Sequence, residues 1–142
     1  MFQGTSALSL DAKGRLTIPT RLRADFLEAD GSFVTFTRHP DGCLLVYQRA
    51  IWDKKRTQLA ALPYESRKWQ RFFLGSAQEV EIDASGRVLI PPELRGLAKL
   101  EKEVVLMGVG EHFELWDAAT LKQSEDDQDF GQPPDSIAGF SL

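Results

Sequence analysis

Two stretches of the chain alternate apolar and polar residues with a period of two, and the same kind of four-residue break interrupts each. In the first, Leu8 and Leu10 fall on one face, Asp11-Ala12-Lys13-Gly14 intervenes, and Leu16 and Ile18 resume the alternation. In the second, Val80 and Ile82 precede Asp83-Ala84-Ser85-Gly86, and Val88 and Ile90 follow. A period of two marks a strand with one buried face. Asp at the first turn position and Gly at the fourth suit a type I turn closed by a left-handed residue, so each stretch predicts a tight β-hairpin. Pro19 and Pro91 stop the returning strands, because proline has no N–H to give a ladder. A short helix is predicted after each, carrying Leu22, Phe26 and Leu27 in the first case and Leu94 and Leu97 in the second.

The two stretches are copies of one another. Asp11–Arg23 aligns with Asp83–Arg95 at a separation of 72 residues, pairing Gly14 with Gly86, Arg15 with Arg87, Ile18 with Ile90, Pro19 with Pro91, Leu22 with Leu94 and Arg23 with Arg95. Each copy then continues into a further β pair. The first is Phe33–Thr37 and Cys43–Tyr47 about a Pro40-Asp41-Gly42 turn; the second is Glu103–Met107 and Phe113–Trp116 about Gly108-Val109-Gly110. Between the copies, Trp52, Leu59 and Leu62 recur near helical spacing, which predicts a helix over about 51–62. Pro63 ends it, and a second helix, rich in aromatic residues and Arg, is expected over 65–74. The pattern therefore reads as mainly β with helices, an α+β chain of two tandem units at 1–50 and 77–122. A helical connector at 51–76 joins them, and a tail follows at 123–142.

Composition adds little to the fold but constrains the function. The 142 residues are 42% apolar, enough for a core, yet no run is long and apolar enough to span a membrane. The N-terminus lacks the basic-then-apolar pattern of a secretory signal, so a cytoplasmic setting is expected. The lone Cys43 sits in the apolar stretch CLLVY and reads as core filler in a reducing compartment. The net charge is −4, but it is unevenly spread: residues 1–72 hold 12 basic and 7 acidic side chains, and residues 73–142 hold 5 and 14. Five of those acids lie in the last twenty residues, a Pro- and Gly-containing segment expected to be largely disordered. A basic first half keeps nucleic acid open as a partner despite the acidic total.

Two tandem units, each built as strand, Asp-x-x-Gly-Arg, strand, Ile-Pro and helix, resemble the MraZ family of bacterial regulators. The resemblance covers roughly Met1 to Lys122 and includes FFLGSAQEVEID before the second copy. It implies an AbrB-like swapped-hairpin fold, in which hairpins from two units interleave into a small β-barrel, here with both units in one chain. It also implies a closed homo-oligomeric ring, an octamer or a dodecamer. The implied role is repression of the division and cell-wall gene cluster, including the protein's own gene, through repeated boxes in double-stranded promoter DNA, with the protein associated with the nucleoid.

Read on chemistry alone, Arg15 and Arg87 admit two roles. Each could pair across the turn with Asp11 or Asp83, or each could face DNA, where a guanidinium grips phosphate or the O6/N7 edge of guanine. The resemblance favours DNA, since these residues match the family's DNA-binding Arg. Asp11 and Asp83 read as turn-capping rather than DNA-contacting, as a carboxylate repels phosphate; Gly14 and Gly86 complete the turns. Lys13, Arg21, Arg23 and Arg95 are the further DNA-contact candidates; for the three arginines, which follow Pro on the short helix, solvated surface is the default reading and phosphate contact the other. Ser85 and Glu93 replace Lys13 and Arg21 in the second copy. The Lys54-Lys55-Arg56 run reads as a solvated helix face, and Trp52, Trp69, Phe72 and Phe73 read as core or subunit interface.

His39 and His112 lack neighbours at metal-ligand spacing, and no Gly-rich phosphate loop or nucleophile elbow is present. No catalytic residue, metal or cofactor is expected. A ring-forming scaffold that binds protein, and an AbrB-like antitoxin, are the alternatives to a DNA-binding regulator.

Overall fold

The computed structural model describes residues 1–26 and 32–140. Its strands are β1 (Thr5–Ser9), β2 (Arg15–Thr17), β3 (Phe33–Arg38), β4 (Leu44–Gln48), β5 (Gln78–Glu81), β6 (Arg87–Leu89), β7 (Glu103–Gly108) and β8 (Phe113–Asp117). The helices are α1 (Thr20–Phe26), α2 (Arg49–Ala60), α3 (Arg67–Gly75), α4 (Pro92–Leu97), α5 (Ala118–Asp126) and the single turn α6 (Asp135–Ala138). This is an α+β chain whose strand pairings are all antiparallel. Among the described residues no helix is long and apolar enough to cross a membrane.

Six strands form one sheet in the order β1-β7-β8-β4-β3-β5, and β2 and β6 form a separate two-stranded ribbon. The order exchanges elements between the units. β1 of the first unit lies against β7 of the second, β5 of the second lies against β3 of the first, and β4–β8 is the seam at the centre. The turns are where the sequence pattern puts them, but the arms of each expected hairpin part almost at once. Leu10 and Leu16 make one isolated bridge, after which β2 leaves β1 and pairs with β6. A local two-arm hairpin is thus corrected to a tight turn with its arms shared between units. The physical reason is burial: an isolated two-stranded hairpin is marginal in water, and crossing over brings both apolar faces into one core.

That core lies between the ribbon and one face of the sheet. Leu16, Ile18, Val88 and Ile90 come from the ribbon and its continuations, Val34, Phe36, Leu44, Val46, Val104, Leu106, Phe113 and Leu115 from the sheet, and Phe26 and Leu94 from the short helices. A fully buried side chain of this size contributes roughly 1.5–3 kcal/mol relative to exposure. The N-terminus joins the same core, with Phe2 stacked on Phe113 at 4.4 Å between ring centroids and its N–H donated to the Gly110 carbonyl at 2.7 Å. On the sheet's other face, α5 covers Cys43 and Trp116 through Leu121, while α2 and α3 cover Leu45 and Tyr47 through Trp52, Leu59 and Phe73. Burial pushes the Cys43 thiol up to about 12, with Glu114 and Asp41 adding to the effect.

Leu97 lies on α4, as expected, and is 49% exposed at its end. One helical expectation needs correction. Leu62 is 42% exposed because α2 stops at Ala60, two residues before it. Leu27 lies outside the described residues. Regular structure also runs past residue 122: Asp117 caps α5 by accepting the N–H of Thr120 at 3.1 Å, Leu121 anchors the helix, and the ladder continues to Asp126. Residues 122–140 are exposed throughout.

Candidate nucleic-acid interface

The two Asp-x-x-Gly turns have matching geometry. In the first, Gly14 donates its N–H to the Asp11 carbonyl at 2.9 Å, and Asp11 donates its own to the Arg15 carbonyl at 3.0 Å. In the second, Gly86 donates to Asp83 and Asp83 to Arg87, each at 2.9 Å. Gly14 and Gly86 both take φ +80°, the left-handed conformation that follows a type I turn in a tight hairpin.

The Asp side chains finish the turns from within. Asp11 Oδ1 accepts the amides of Lys13 and Arg15, both at 2.9 Å, and Asp83 Oδ1 accepts those of Ser85 and Arg87 at the same distance. The second carboxylate oxygen takes the Arg Nε, at 2.6 Å for Arg15–Asp11 and 3.1 Å for Arg87–Asp83. The Arg15 amide foremost, then the Arg15 guanidinium and the Lys13 amide, hold the Asp11 carboxyl at about 2. The Arg87 amide does the same for Asp83, which is also held below the usual carboxylate range. Each Asp therefore stays ionised, caps its turn and orients the Arg at the head of the next strand.

The ribbon turns these arginines to one side. Arg15 pairs with Leu89, Leu16 with Val88, and Thr17 with Arg87. Leu16 and Val88 point inward at 1% exposure each, so Arg15, Thr17, Arg87 and Leu89 share the outer face. Both readings of the arginines are compatible here, because Nε is used by the Asp while the side chains remain 30% and 38% exposed.

The other sequence candidates disperse. Lys13 is exposed on the first turn, beside Arg15. Arg21 leaves the turns and donates to the hydroxyl of Ser6 on β1. Lys55 and Arg56, read from sequence as part of a solvated helix face rather than as DNA contacts, form ion pairs on and beside α2 with Glu111 and Asp53 respectively, each at 3.1 Å. Arg23 and Arg95 go where the sequence order does not suggest. Ile18 donates its N–H to the Gly86 carbonyl and Ile90 to that of Gly14, so each strand passes the other unit's turn. Five residues on, Arg23 lies against Gly86 and Arg95 against Gly14. A Cβ on Gly86 would sit 2.5 Å from Arg23 Nε, and one on Gly14 would collide with the Arg95 guanidinium. Sequence order assigns each of these arginines to its own copy; only the crossing of the strands reveals the exchange.

A model of the family described as "MraZ protein, putative antitoxin-like" matches residues 1–72 and again 73–135. The chain belongs to the MraZ family. It is 54% identical over 142 residues to the Transcriptional regulator MraZ of Bordetella pertussis, covering the whole of both chains. Similar proteins of the same name occur in Cupriavidus pinatubonensis, at 52% over 142 residues, and in Ralstonia pickettii, at 54% over 143, again over both full lengths. These MraZ relatives are named as regulators of transcription, not as enzymes. Among the described residues no group of three or more His, Cys, Asp or Glu side chains is placed to hold a metal ion. The two family matches coincide with the two Asp-x-x-Gly-Arg turns, one in each.

Proposed function

We propose that this MraZ-family chain is a sequence-specific DNA-binding transcriptional regulator. In this reading it represses the division and cell-wall gene cluster, its own gene included, as a homo-oligomeric ring on repeated promoter boxes. The observation that carries the reading is the pair of arginines, Arg15 and Arg87, held by capped turns on the outer face of a single two-stranded ribbon. The major groove of B-DNA admits a two-stranded β-ribbon, and Arg is the side chain best shaped to grip phosphate or guanine there. The names of the full-length relatives support the same function.

The ribbon and the six-stranded sheet then act as two parts of one small β-barrel, and the exposed Trp69 on α3, with its neighbours Phe72 and Phe73, supplies subunit contact. Lys13 adds a phosphate contact at the first turn. An electrophoretic shift with the DNA upstream of the protein's own gene, titrated against scrambled duplex at several salt concentrations, tests the reading. Binding that discriminates between the two duplexes supports it, whereas equal or absent binding refutes sequence-specific regulation. Light scattering at micromolar concentration tests the ring, which a purely monomeric species rules out.

A further inference from the structure

The crossing of the two units gives Arg23 and Arg95 a common geometry that their positions on α1 and α4 do not explain. Arg95 departs from the second unit, yet its guanidinium covers the α-carbon of Gly14 in the first turn. Arg23 departs from the first unit and covers Gly86 in the second turn, with its Nε donating to the Ile18 carbonyl at 3.0 Å. Both lie five residues beyond an isoleucine that is hydrogen-bonded to the glycine in question. Both are half-buried, and among the described residues no carboxylate forms an ion pair with either. Glycine at 14 and 86 thus meets two demands at once: it supplies the positive φ, and it leaves room for the other unit's arginine.

We propose that Arg95 and Arg23 are positioning residues for the opposite unit's DNA-contacting arginine: Arg95 works with Arg15, and Arg23 with Arg87. Each DNA-facing turn is then a composite of both units. The inference rests on the DNA-binding function proposed above. A planar cation lying against the turn glycine limits how far the turn can flex. It also adds positive potential beside an Arg whose own Asp is already occupied by amide donors. The distribution of charge changes accordingly. Read along the sequence, the first copy is richer by Lys13 and Arg21, and the second is burdened by Glu93. In space Arg95 joins Lys13 and Arg15 at the first turn, where Glu101 and Lys102 border the same groove, and Arg23 joins Arg87 at the second, so each turn gains one cation from the other unit.

The test is a set of double-mutant cycles on duplex affinity, since residues acting as a unit are non-additive while independent ones add. The probe is the DNA upstream of the protein's own gene, with random duplex beside it. Arg95→Gln is expected to weaken binding several-fold in the wild-type background and much less once Arg15→Ala is present. Its effect should multiply undiminished with Arg87→Ala. Arg23→Gln should show the reverse pattern. Each loss should come with a flatter dependence on salt, by roughly 0.9 for every phosphate no longer neutralised, and Arg95→Lys should restore that slope.

A second readout needs no DNA: Arg95→Gln should move the amide resonances of Lys13 and Gly14 while leaving Ser85 and Gly86 in place, with Arg23→Gln doing the opposite. Coupling within a unit, full additivity, or amide shifts confined to the mutated unit would overturn the pairing. Wild-type protein that binds no duplex, with the cross-unit amide shifts present, would instead refute the DNA-binding function and leave the pairing as structure alone. Circular dichroism of each variant identifies any that fails to fold, in which case Arg95→Met and Arg23→Met, which keep the length of the side chain and remove its charge, carry the cycle.

Discussion

Gly14→Ala separates the cost of the turn's backbone from the role of the arginine above it. Gly14 sits at φ +80°, where an L-residue loses roughly 1–2 kcal/mol to the clash of its Cβ with the following carbonyl. The second obstacle is the Arg95 guanidinium, but that is the far end of a flexible side chain and can swing aside cheaply. Gly42, in the turn between β3 and β4, supplies the control: its φ is +99°, and a Cβ there would meet nothing within 4 Å. The two alanine variants should therefore lose about the same stability. For a chain of this size about 1 kcal/mol corresponds to roughly 2–4 °C, so each melting temperature should fall by roughly 2–8 °C. The measurement is thermal circular dichroism at one fixed protein concentration, because assembly makes the midpoint concentration-dependent. Duplex affinity then distinguishes the pair, since only Gly14→Ala displaces Arg95 and only it should weaken binding. An unchanged melting temperature for Gly14→Ala would refute the left-handed turn. A Gly42→Ala variant that lost DNA affinity equally would refute the special place of Arg95.

Arg15→Ala should abolish preferential binding to the upstream duplex while leaving the melting temperature nearly unchanged, as the Asp11 amide contacts persist; an aggregated variant would show the side chain to be structural. The Asp11 carboxyl should titrate at about 2 when followed by carbon NMR. Its folded value lies below the unfolded one, so its contribution to stability is complete above about pH 4 and disappears as pH falls through about 2. A measured value near 4 would mean that the turn amides are not donating to it. Gly108→Ala should be more damaging than Gly42→Ala although its φ is not positive: a Cβ there would lie 2.5 Å from the backbone nitrogen of Gln3, which cannot rotate away, and equal melting temperatures would show the N-terminal segment to be loosely held. Ile18→Ala and Ile90→Ala should each cost about 2–5 kcal/mol and lower one shared unfolding transition, whereas two separated transitions in calorimetry would mean that the units fold independently.

Much of the candidate interface was legible from residue order. Alternation by two identified Leu16, Ile18, Val88 and Ile90 as buried and left Arg15 and Arg87 outside, because side-chain direction in a strand depends only on parity. Asp at the first turn position and Gly at the fourth determined the turns, since amide capping by Asp and the left-handed glycine are satisfied within five residues of chain. The β3–β4 and β7–β8 pairs were legible for similar reasons: their partners are close in sequence and their turns carry Gly.

Partner choice beyond the turns was decided by tertiary structure. The two copies are alike enough that β2 satisfies the same local pattern whether it returns along β1 or crosses to β6, and nothing within thirteen residues distinguishes the two. The crossing is favoured because it closes one core over the apolar faces of both copies, a gain that exists only when the units are brought together. Arg23 and Arg95 follow from that decision. On the sequence each is a charged residue near the end of a short helix, indistinguishable from solvated surface. Their positions over Gly86 and Gly14 exist only once each unit's strand runs past the other unit's turn.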